Sequence, residues 1–339
     1  MAQKSLLRRI HSMKDRIIFA IETSCDETAA AVVLNGRKVL SNVVASQIDI
    51  HKKYGGVIPE IAARKHLESI NIVIEEAREK AGIEMKDVTA FAGTAGPGLV
   101  GALLVGLNAA KALSLVYDKP FIGVNHLNAH VCANYLESSF EPPFICLLIS
   151  GGHTQLIRVN SYTDQQILGE TRDDAVGEAY DKVARLLGLP YPGGPALDKL
   201  AQTGNKESFK FPEANVSGYD FSFSGLKTAV MRTCKTYTEQ DLPKADIAAS
   251  FQEIVSSTLL KKTLKAANEN NIKKIALAGG VAANSEIRKK FFAQENNGFT
   301  VHAPEFKYCT DNAAMVASAA YFGSNITHEL NVEVFSRKK

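Results

Sequence analysis

The chain has 339 residues, 45% of them hydrophobic and 22% charged, the make-up of a globular protein of about two domains rather than a disordered or fibrous one. Its 39 basic and 36 acidic side chains leave a net charge of +3, which excludes a chain-wide polyanion-binding surface and confines any nucleic-acid contact to local patches. No run reaches the roughly 18 consecutive apolar residues of a membrane span, and the five cysteines (25, 132, 146, 234 and 309) contain no C-x-x-C pair, which argues for a reducing compartment and against a disulfide framework.

The first 16 residues carry Lys4, Arg8, Arg9, Lys14 and Arg16 against Asp15 alone. Lacking the apolar stretch of a secretory signal, they read as a basic extension of a cytoplasmic protein, with an organelle-targeting tail, and so the mitochondrial matrix, as the alternative. Residues 17–21 are apolar and β-branched and predict a strand. The polar turn Glu22-Thr23-Ser24-Cys25-Asp26-Glu27-Thr28 leads to a second strand at 29–34, and Asn35-Gly36 turns the chain into a third at 38–47. After a loop at 51–56, Pro59 opens a helix over 60–81 that Gly82 ends. Residues 88–93 predict a strand, 94–98 a glycine-rich loop, 99–116 a helix of small residues and 121–124 a strand. His126 and His130 follow, on helical spacing that continues to Leu136. Strands and helices alternating in this way mean a largely parallel sheet flanked by helices.

Pro142-Pro143 marks a boundary, and past it the opening layout recurs: a strand at 144–149, the polar tip Ser150-Gly151-Gly152-His153-Thr154, and a strand at 155–159. An amphipathic helix is predicted over 177–187, then a tight loop at Tyr191-Pro192-Gly193-Gly194-Pro195. Residues 205–225 read as an irregular polar and aromatic excursion. A long helix over 246–270, a strand at 274–278, the turn Gly279-Gly280-Val281-Ala282-Ala283-Asn284 and a helix to about 294 come next. A last strand is predicted at 299–303, Thr310 can N-cap a helix over 311–322, and 323–339 is a polar tail with a basic end. The expected organisation is a basic extension at 1–16, a first α/β domain at 17–140 completed by 309–339, and a second at 141–308.

His126 and His130 stand four residues apart, so on a helix both imidazoles face one way and can hold one metal ion. Two histidines on an ordinary helix face are the competing reading. A zinc protease needs His-Glu-x-x-His, and Leu127 occupies the place of the glutamate. Asp311, at the predicted start of the last helix, suits the helix dipole. If that helix packs on the first domain, two histidines and a carboxylate with open positions suit Fe(II), and also Zn(II). Three glycine turns, at 150–152, 191–195 and 279–280, let backbone N–H groups approach a phosphate or an adenosine. None is a Walker A loop or a Rossmann fingerprint. Asp181, on an otherwise apolar stripe, could accept hydrogen bonds from a ribose or be a solvated partner of Lys182 or Arg185. Asn284 could cap a helix or touch an adenosine. Asp26 and Glu27 at the first hairpin tip are candidate proton acceptors or plain turn caps. Basic clusters at 261–265, 273–274, 288–290 and 337–339 are solvated faces that a tRNA-sized partner could also use.

Together these stretches resemble one family, the TsaD-type tRNA N6-adenosine threonylcarbamoyltransferases, over about residues 17–321. The resemblance rests on Ile21-Glu22-Thr23-Ser24-Cys25-Asp26-Glu27-Thr28, Tyr54-Gly55-Gly56-Val57-Ile58-Pro59-Glu60, residues 94–101, the His126 and His130 pair, residues 150–156, 220–227 and 278–284, and Cys309-Thr310-Asp311-Asn312. The Ser-Cys-Asp-Glu-Thr and Ser-Gly-Gly-His-Thr forms are similar to the bacterial and mitochondrial branch. The resemblance implies an actin/Hsp70/sugar-kinase-like (ASKHA) α/β fold, duplicated in two domains with a nucleotide cleft between them. It implies transfer of threonylcarbamoyl from threonylcarbamoyl-AMP to N6 of the adenosine 3′ of the anticodon in tRNAs reading ANN codons.

By the same resemblance, His126, His130 and Asp311 hold one divalent metal per subunit, Fe(2+) first and Zn(2+) second. Leu148, Ile149, Ser150, Gly151, Gly152, Asp181, Gly194, Asp198 and Asn284 hold the adenylate. Implied partners are tRNA with TsaB- and TsaE-like proteins in a bacterium, or a second copy of the chain in a mitochondrion, and no membrane. The donor is a mixed anhydride with a good leaving group, so what remains is positioning and charge stabilisation, with a metal as Lewis acid. The competing readings are a glycoprotease-type metalloprotease, a non-catalytic nucleotide-gated scaffold of the actin-like fold, and a sugar or acetate kinase.

Overall fold

The structure is a computed structural model that describes residues 15–323 and 330–336. The basic extension at 1–16 falls outside them except for its last two residues. The chain divides into two compact units, Met1–Phe140 with Thr310–Lys339, and Glu141–Cys309. Cys309, assigned to the first domain on sequence, thus lies in the second unit.

In the first unit, five strands, β1 (Ile17–Glu22), β2 (Glu27–Leu34), β3 (Lys38–Ser46), β4 (Ala90–Gly96) and β5 (Phe121–Asn125), form a sheet of order β3-β2-β1-β4-β5. The β1–β2 and β2–β3 pairs are antiparallel, and the β1–β4 and β4–β5 pairs are parallel. β1 is buried along its whole length, as a central strand covered on both faces must be, which is why it reads as a continuous apolar run. Its Ile17, Phe19 and Ile21 point into a core shared with Ile70 and Val73 of α1 (Pro59–Ala81) and Leu107 and Ala110 of α2 (Val100–Tyr117). By length and composition α2 could cross a membrane, which a count of consecutive apolar residues misses because Gly101, Gly106, Asn108, Lys111 and Ser114 interrupt the run. In this unit it packs on β4, β1 and α1. β4 continues through Gly96, so the glycine-rich stretch expected as loop at 94–96 is strand. After β5 the chain enters the short helix α3 (His126–Cys132).

The second unit repeats the plan. Strands β6 (Phe144–Ile149), β7 (Thr154–Val159), β8 (Gln165–Glu170), β9 (Lys274–Ala278) and β10 (Thr300–His302) are ordered β10-β9-β6-β7-β8. β6–β7 and β7–β8 are antiparallel, and β6–β9 and β9–β10 parallel, strand for strand the pattern of the first sheet. β8 has no counterpart in the sequence reading, because Gln165, Gln166 and Glu170 give an edge strand no apolar signal. The helices are α4 (Val176–Leu186), α5 (Gly193–Ala201), α6 (Ser224–Cys234), α7 (Lys244–Glu269) and α8 (Ser285–Phe292). Two expectations fail here. The Gly193-Gly194-Pro195 loop is the first turn of α5, where proline lacks only an N–H that no helix start uses. The irregular excursion stops at Phe223, where α6 begins. Its Phe211, Phe221 and Phe223 are buried in the core with Tyr180, Phe251 and Leu259.

The chain then returns to the first unit as α9 (Ala313–Gly323), whose residues 313–320 are all buried and which packs against β1, β2 and α3. Its cap is Asn312, not Thr310: the Asn312 amide oxygen accepts from Met315 N at 3.0 Å. Asparagine at that position starts the helix two residues later than expected. The described part of the tail is not merely polar, since Leu330, Val332, Val334 and Phe335 pack on the first unit's core and Phe335 N donates to Ala95 O at 3.0 Å.

Candidate functional site

Asn125 ends β5 and caps α3, its Oδ1 accepting from Leu127 N at 2.9 Å and Asn128 N at 3.2 Å. That cap starts the helix at His126 and sets His126 and His130 on successive turns, with ring centroids 4.6 Å apart and rings nearly perpendicular. The later start of α9 leaves Asp311 in the turn before it. Asp311 Oδ1 lies 3.1 Å from His130 Nε2 and 3.6 Å from His126 Nε2. The three ligand atoms all lie within 4.8 Å of one another. Atoms bound about 2.0–2.2 Å from a shared ion stand roughly 3–3.5 Å apart. His130 is 1% exposed, and neither of its ring nitrogens makes a hydrogen bond, for the Asp311 contact lacks the geometry of one. A buried imidazole without a hydrogen bond is costly, and a metal ion is a partner this set of donors fits.

Four carboxylates share this neighbourhood: Glu22 and Asp311 face the histidines, and the charges of Asp311 and Asp26 act on Glu27. Glu22 is fully buried; its oxygens accept from Ser24 N and from Thr94 Oγ1 at 2.6 Å, and one faces His126 Nδ1 at 3.2 Å. Burial would raise the Glu22 pKa, but the charge and hydrogen bond of His126 hold it below the usual range. Burial would likewise lower that of His126, yet Asp311 and Glu22 raise it to about 9. Asp311, against its own burial, is held down to about 2 by His126 and His130. Glu27 has no such partner. Burial first, then Asp311 and Asp26, push its carboxyl up to about 9, so it holds its proton at neutral pH. Among the described residues no lysine or arginine pairs with any of the four. The surplus negative charge is what a bound cation would offset.

The hairpin that bears Glu22, Asp26 and Glu27 is seated on α2. Leu99 N donates to Ser24 O at 2.8 Å, and a Cβ on Gly98 would come 2.6 Å from that same oxygen. Thr23 Oγ1 donates to Ala102 O at 2.8 Å and accepts from Gly106 N at 3.1 Å. As for turn capping, Glu27 accepts a hydrogen bond from the Ser46 hydroxyl at 3.1 Å rather than from a turn N–H.

The predicted adenylate residues all lie in the second unit. Leu148 and Ile149 are buried core side chains of β6 that support the turn after them. Ser150 closes that turn, its N donating to His153 O at 2.8 Å and its Oγ accepting from His153 N at 3.1 Å. Gly151 and Gly152 are exposed, and neither they nor Gly194 have a positive φ or a neighbour that a Cβ would meet within 4 Å. The fold itself does not require glycine at these three places. Gly177 is different: its Cβ would come 2.6 Å from Ser150 O, so only glycine lets α4 start against the turn.

α4 carries Asp181, which is half-buried, feels the charge of Arg185 and does not pair with Lys182. Its Oδ1 accepts from Gly193 N at 2.9 Å and Gly194 N at 3.1 Å and so holds the first turn of α5, while burial raises its pKa. Lys182 pairs instead with Asp174 and Glu178. Asn284 is a cap, accepting from Ile287 N at 3.0 Å, and it also donates to Gln252 Oε1 at 2.9 Å. Gln252 Nε2 donates in turn to Asp198 Oδ1 at 3.0 Å, and Asp198 accepts from Ser285 N and Oγ as well. Gln252 joins two of the predicted residues and was missed, since one amide within a long helix forms no motif. Glu22 was missed as a member of the metal site. The signal was present: a single charge at the end of an apolar strand.

Fold and site define a class, the actin-like duplicated α/β proteins, with a His–His–Asp group in the first unit. Among solved structures the chain is similar to HypF of T. kodakarensis (TM-score 0.65, 17% identity, 90% of this chain and 47% of that one). It is also similar to a full-length HypF in phosphate- and nucleotide-bound form (0.63, 14%, 91% and 55%), so it spans about half the length of each HypF chain. A third likeness is to component A of the Acidaminococcus fermentans (R)-2-hydroxyglutaryl-CoA dehydratase (0.53, 17%, 91% and 97%). At these identities the likeness shows the fold alone. The family model described as TsaD, tRNA N6-adenosine threonylcarbamoyltransferase, matches residues 38–318. Relatives bearing that description are 55% identical over 316 residues in Clostridium kluyveri (91% of this chain, 93% of the relative) and 52% over 332 in Microcystis aeruginosa (95% and 96%). The chain belongs to the TsaD family, tRNA N6-adenosine threonylcarbamoyltransferases, and is a transferase that modifies tRNA.

Proposed function

We propose that the chain transfers threonylcarbamoyl from threonylcarbamoyl-AMP to N6 of the adenosine 3′ of the anticodon in tRNAs reading ANN codons, assisted by a divalent metal on His126, His130 and Asp311. The observation that carries the metal-assisted reading is the convergence of these three side chains, two from α3 and one from the turn before α9, around a buried His130 that makes no hydrogen bond. Two imidazoles and one carboxylate suit Fe(2+) first and Zn(2+) second. When bound, such an ion supplies a Lewis acid for the donor's carbonyl and an anchor for its carboxylate.

The remaining work falls to the chain. Gly151, Gly152 and Gly194 offer backbone to the adenylate at places where a Cβ would meet only open space. Asp181 and Asn284 fix the helix starts beside them. The attacking amine must lose a proton. Glu27, which keeps its own proton to about pH 9, is poorly suited to take it, so Asp26 is the better candidate. Relatives in bacteria at 52–55% identity favour a bacterial cytoplasm with TsaB- and TsaE-like partners over a mitochondrial homodimer.

Nucleoside analysis of tRNA from cells depleted of this protein tests the reading. Threonylcarbamoyladenosine should fall, and return with the parent gene but not with His130→Ala. An unchanged level, with no redundant enzyme present, refutes it.

A further inference from the structure

We infer that Glu22 is a positioning residue of the metal centre: it fixes the His126 ring so that Nε2, not Nδ1, is the ligating atom. This rests on the reading of His126, His130 and Asp311 as metal ligands. Glu22 is the one charged residue of β1 and is 0% exposed. A carboxylate there is costly unless it is bonded, and both oxygens are engaged. Oε1 accepts from Ser24 N, while Oε2 accepts from Thr94 Oγ1 at 2.6 Å and stands 3.2 Å from His126 Nδ1.

The groups that hold Glu22 are themselves fixed. Thr94 lies on β4, which is in parallel register with β1 through Ile21 and Gly93, and Ser24 is tied to Leu99 through its carbonyl. Glu22 is therefore held in one orientation, with acceptor capacity left over for the imidazole. The Ser24 hydroxyl, 3.2 Å from the same Nδ1, is the other polar atom there. With Nδ1 turned to Glu22 and Ser24, Nε2 is the ring nitrogen on the Asp311 side, 3.6 Å from Oδ1. Metal-bound histidines usually give their second N–H to such a carboxylate, which sets tautomer and ring orientation. His130 has no equivalent, so the restraint acts on one ligand of the pair.

The test uses the full chain, Glu22→Gln, and zinc alone as the probe. Gln keeps the volume and one oxygen, for Ser24 N, but puts an NH2 donor where Oε2 stood, so His126 Nδ1 loses its charged acceptor while the Thr94 hydroxyl can turn to accept. Zinc affinity should fall about 10- to 100-fold, with one ion per chain still bound at saturation. In ¹⁵N NMR of the zinc-loaded parent, His126 should show a protonated Nδ1 and a bound Nε2. A merely structural Glu22 would lower the melting temperature without moving either readout. Equal zinc affinity in parent and variant, or ligation through Nδ1 of His126, overturns the inference while leaving the metal site standing. A parent chain that binds no zinc or iron overturns the metal reading and this inference with it. Should Glu22→Gln fail to fold, Thr94→Val removes only one hydroxyl that orients Oε2. A several-fold loss of zinc affinity then supports the role, and no loss overturns it.

Discussion

His130 is the side chain on which the metal reading is easiest to test, because it is buried and makes no hydrogen bond. His126→Ala and His130→Ala should each cut bound metal from about one ion per chain to near none, since two ligands hold a divalent ion far less tightly than three. Losing His130 costs the fold its packing and its contact with Asp311, about 2 kcal/mol, the size of an ordinary core substitution. Metal analysis of the purified variants decides it, and full occupancy in both would make the pair an ordinary helix face. The raised His126 pKa adds a pH signature. In the metal-free protein this ring is charged below about pH 9, so binding must displace a proton. Apparent affinity should rise about tenfold per pH unit on approaching pH 9 and then level off. Calorimetry in buffers of different ionisation heat should show about one proton released from this ring at pH 7.5, and release of none would contradict the assignment. The sign for stability is opposite. A folded-state pKa above the unfolded value means that charged His126 stabilises the metal-free fold fully below about pH 6.5, and that this is lost as pH rises through 9.

Between residues and whole domains, the hairpin tip and the start of α2 act as one element. Gly98→Ala brings a Cβ to 2.6 Å from Ser24 O, and backbone cannot yield as a flexible side chain can. The expected cost is about 1–3 kcal/mol, or about 2–4 °C of melting temperature per kcal/mol for a unit of this size. Metal affinity should weaken as well, because Ser24 and Glu22 move with the tip. A thermal scan with an unchanged midpoint would show that the loop yields. Elements like this also mark what sequence can and cannot reveal. β1 and β6 were legible because strands buried on both faces are unbroken apolar runs, and the polar turns after them exposed the duplication. β8, α5 and α6 were not. An edge strand rich in glutamine has no period, and a helix that opens Gly-Gly-Pro reads locally as a turn. At the candidate site, helical spacing put His126 and His130 on one face. Nothing local placed Asp311 beside them, since that depends on α9 returning to the first unit after more than 150 residues and on Asn312, not Thr310, capping it. The cap at Asn284 was legible, since an asparagine after a glycine turn suits a helix start, but the role of Asp181 was hidden, because a carboxylate that holds the N–H groups of a distant glycine pair leaves no mark in its own helix.

At the scale of the whole molecule, the two units repeat one sheet but divide the chemistry: every candidate metal ligand lies in the first, and every predicted adenylate residue in the second. The two functions should therefore be separable by mutation. Gly152→Val is the sharpest case. The fold leaves open space at that Cβ and does not use a positive φ there, so stability should change by no more than about 0.5 kcal/mol. Binding of a stable threonylcarbamoyl-adenylate analogue should be lost, because the side chain would occupy the approach to the backbone N–H groups. Asp181→Ala should weaken the same binding by about 1.5–3 kcal/mol, roughly ten- to a hundredfold, and also destabilise the start of α5, whose Gly193 and Gly194 N–H groups lose their acceptor. Asp181→Asn keeps an oxygen for those two groups, so it should restore stability while recovering only part of the affinity. Metal content should stay at parent level in all three variants. Calorimetric titration beside metal analysis reads both quantities on the same samples. If Gly152→Val binds the analogue as the parent does, the glycines at 151–152 meet no ligand, and the adenylate lies elsewhere in the chain.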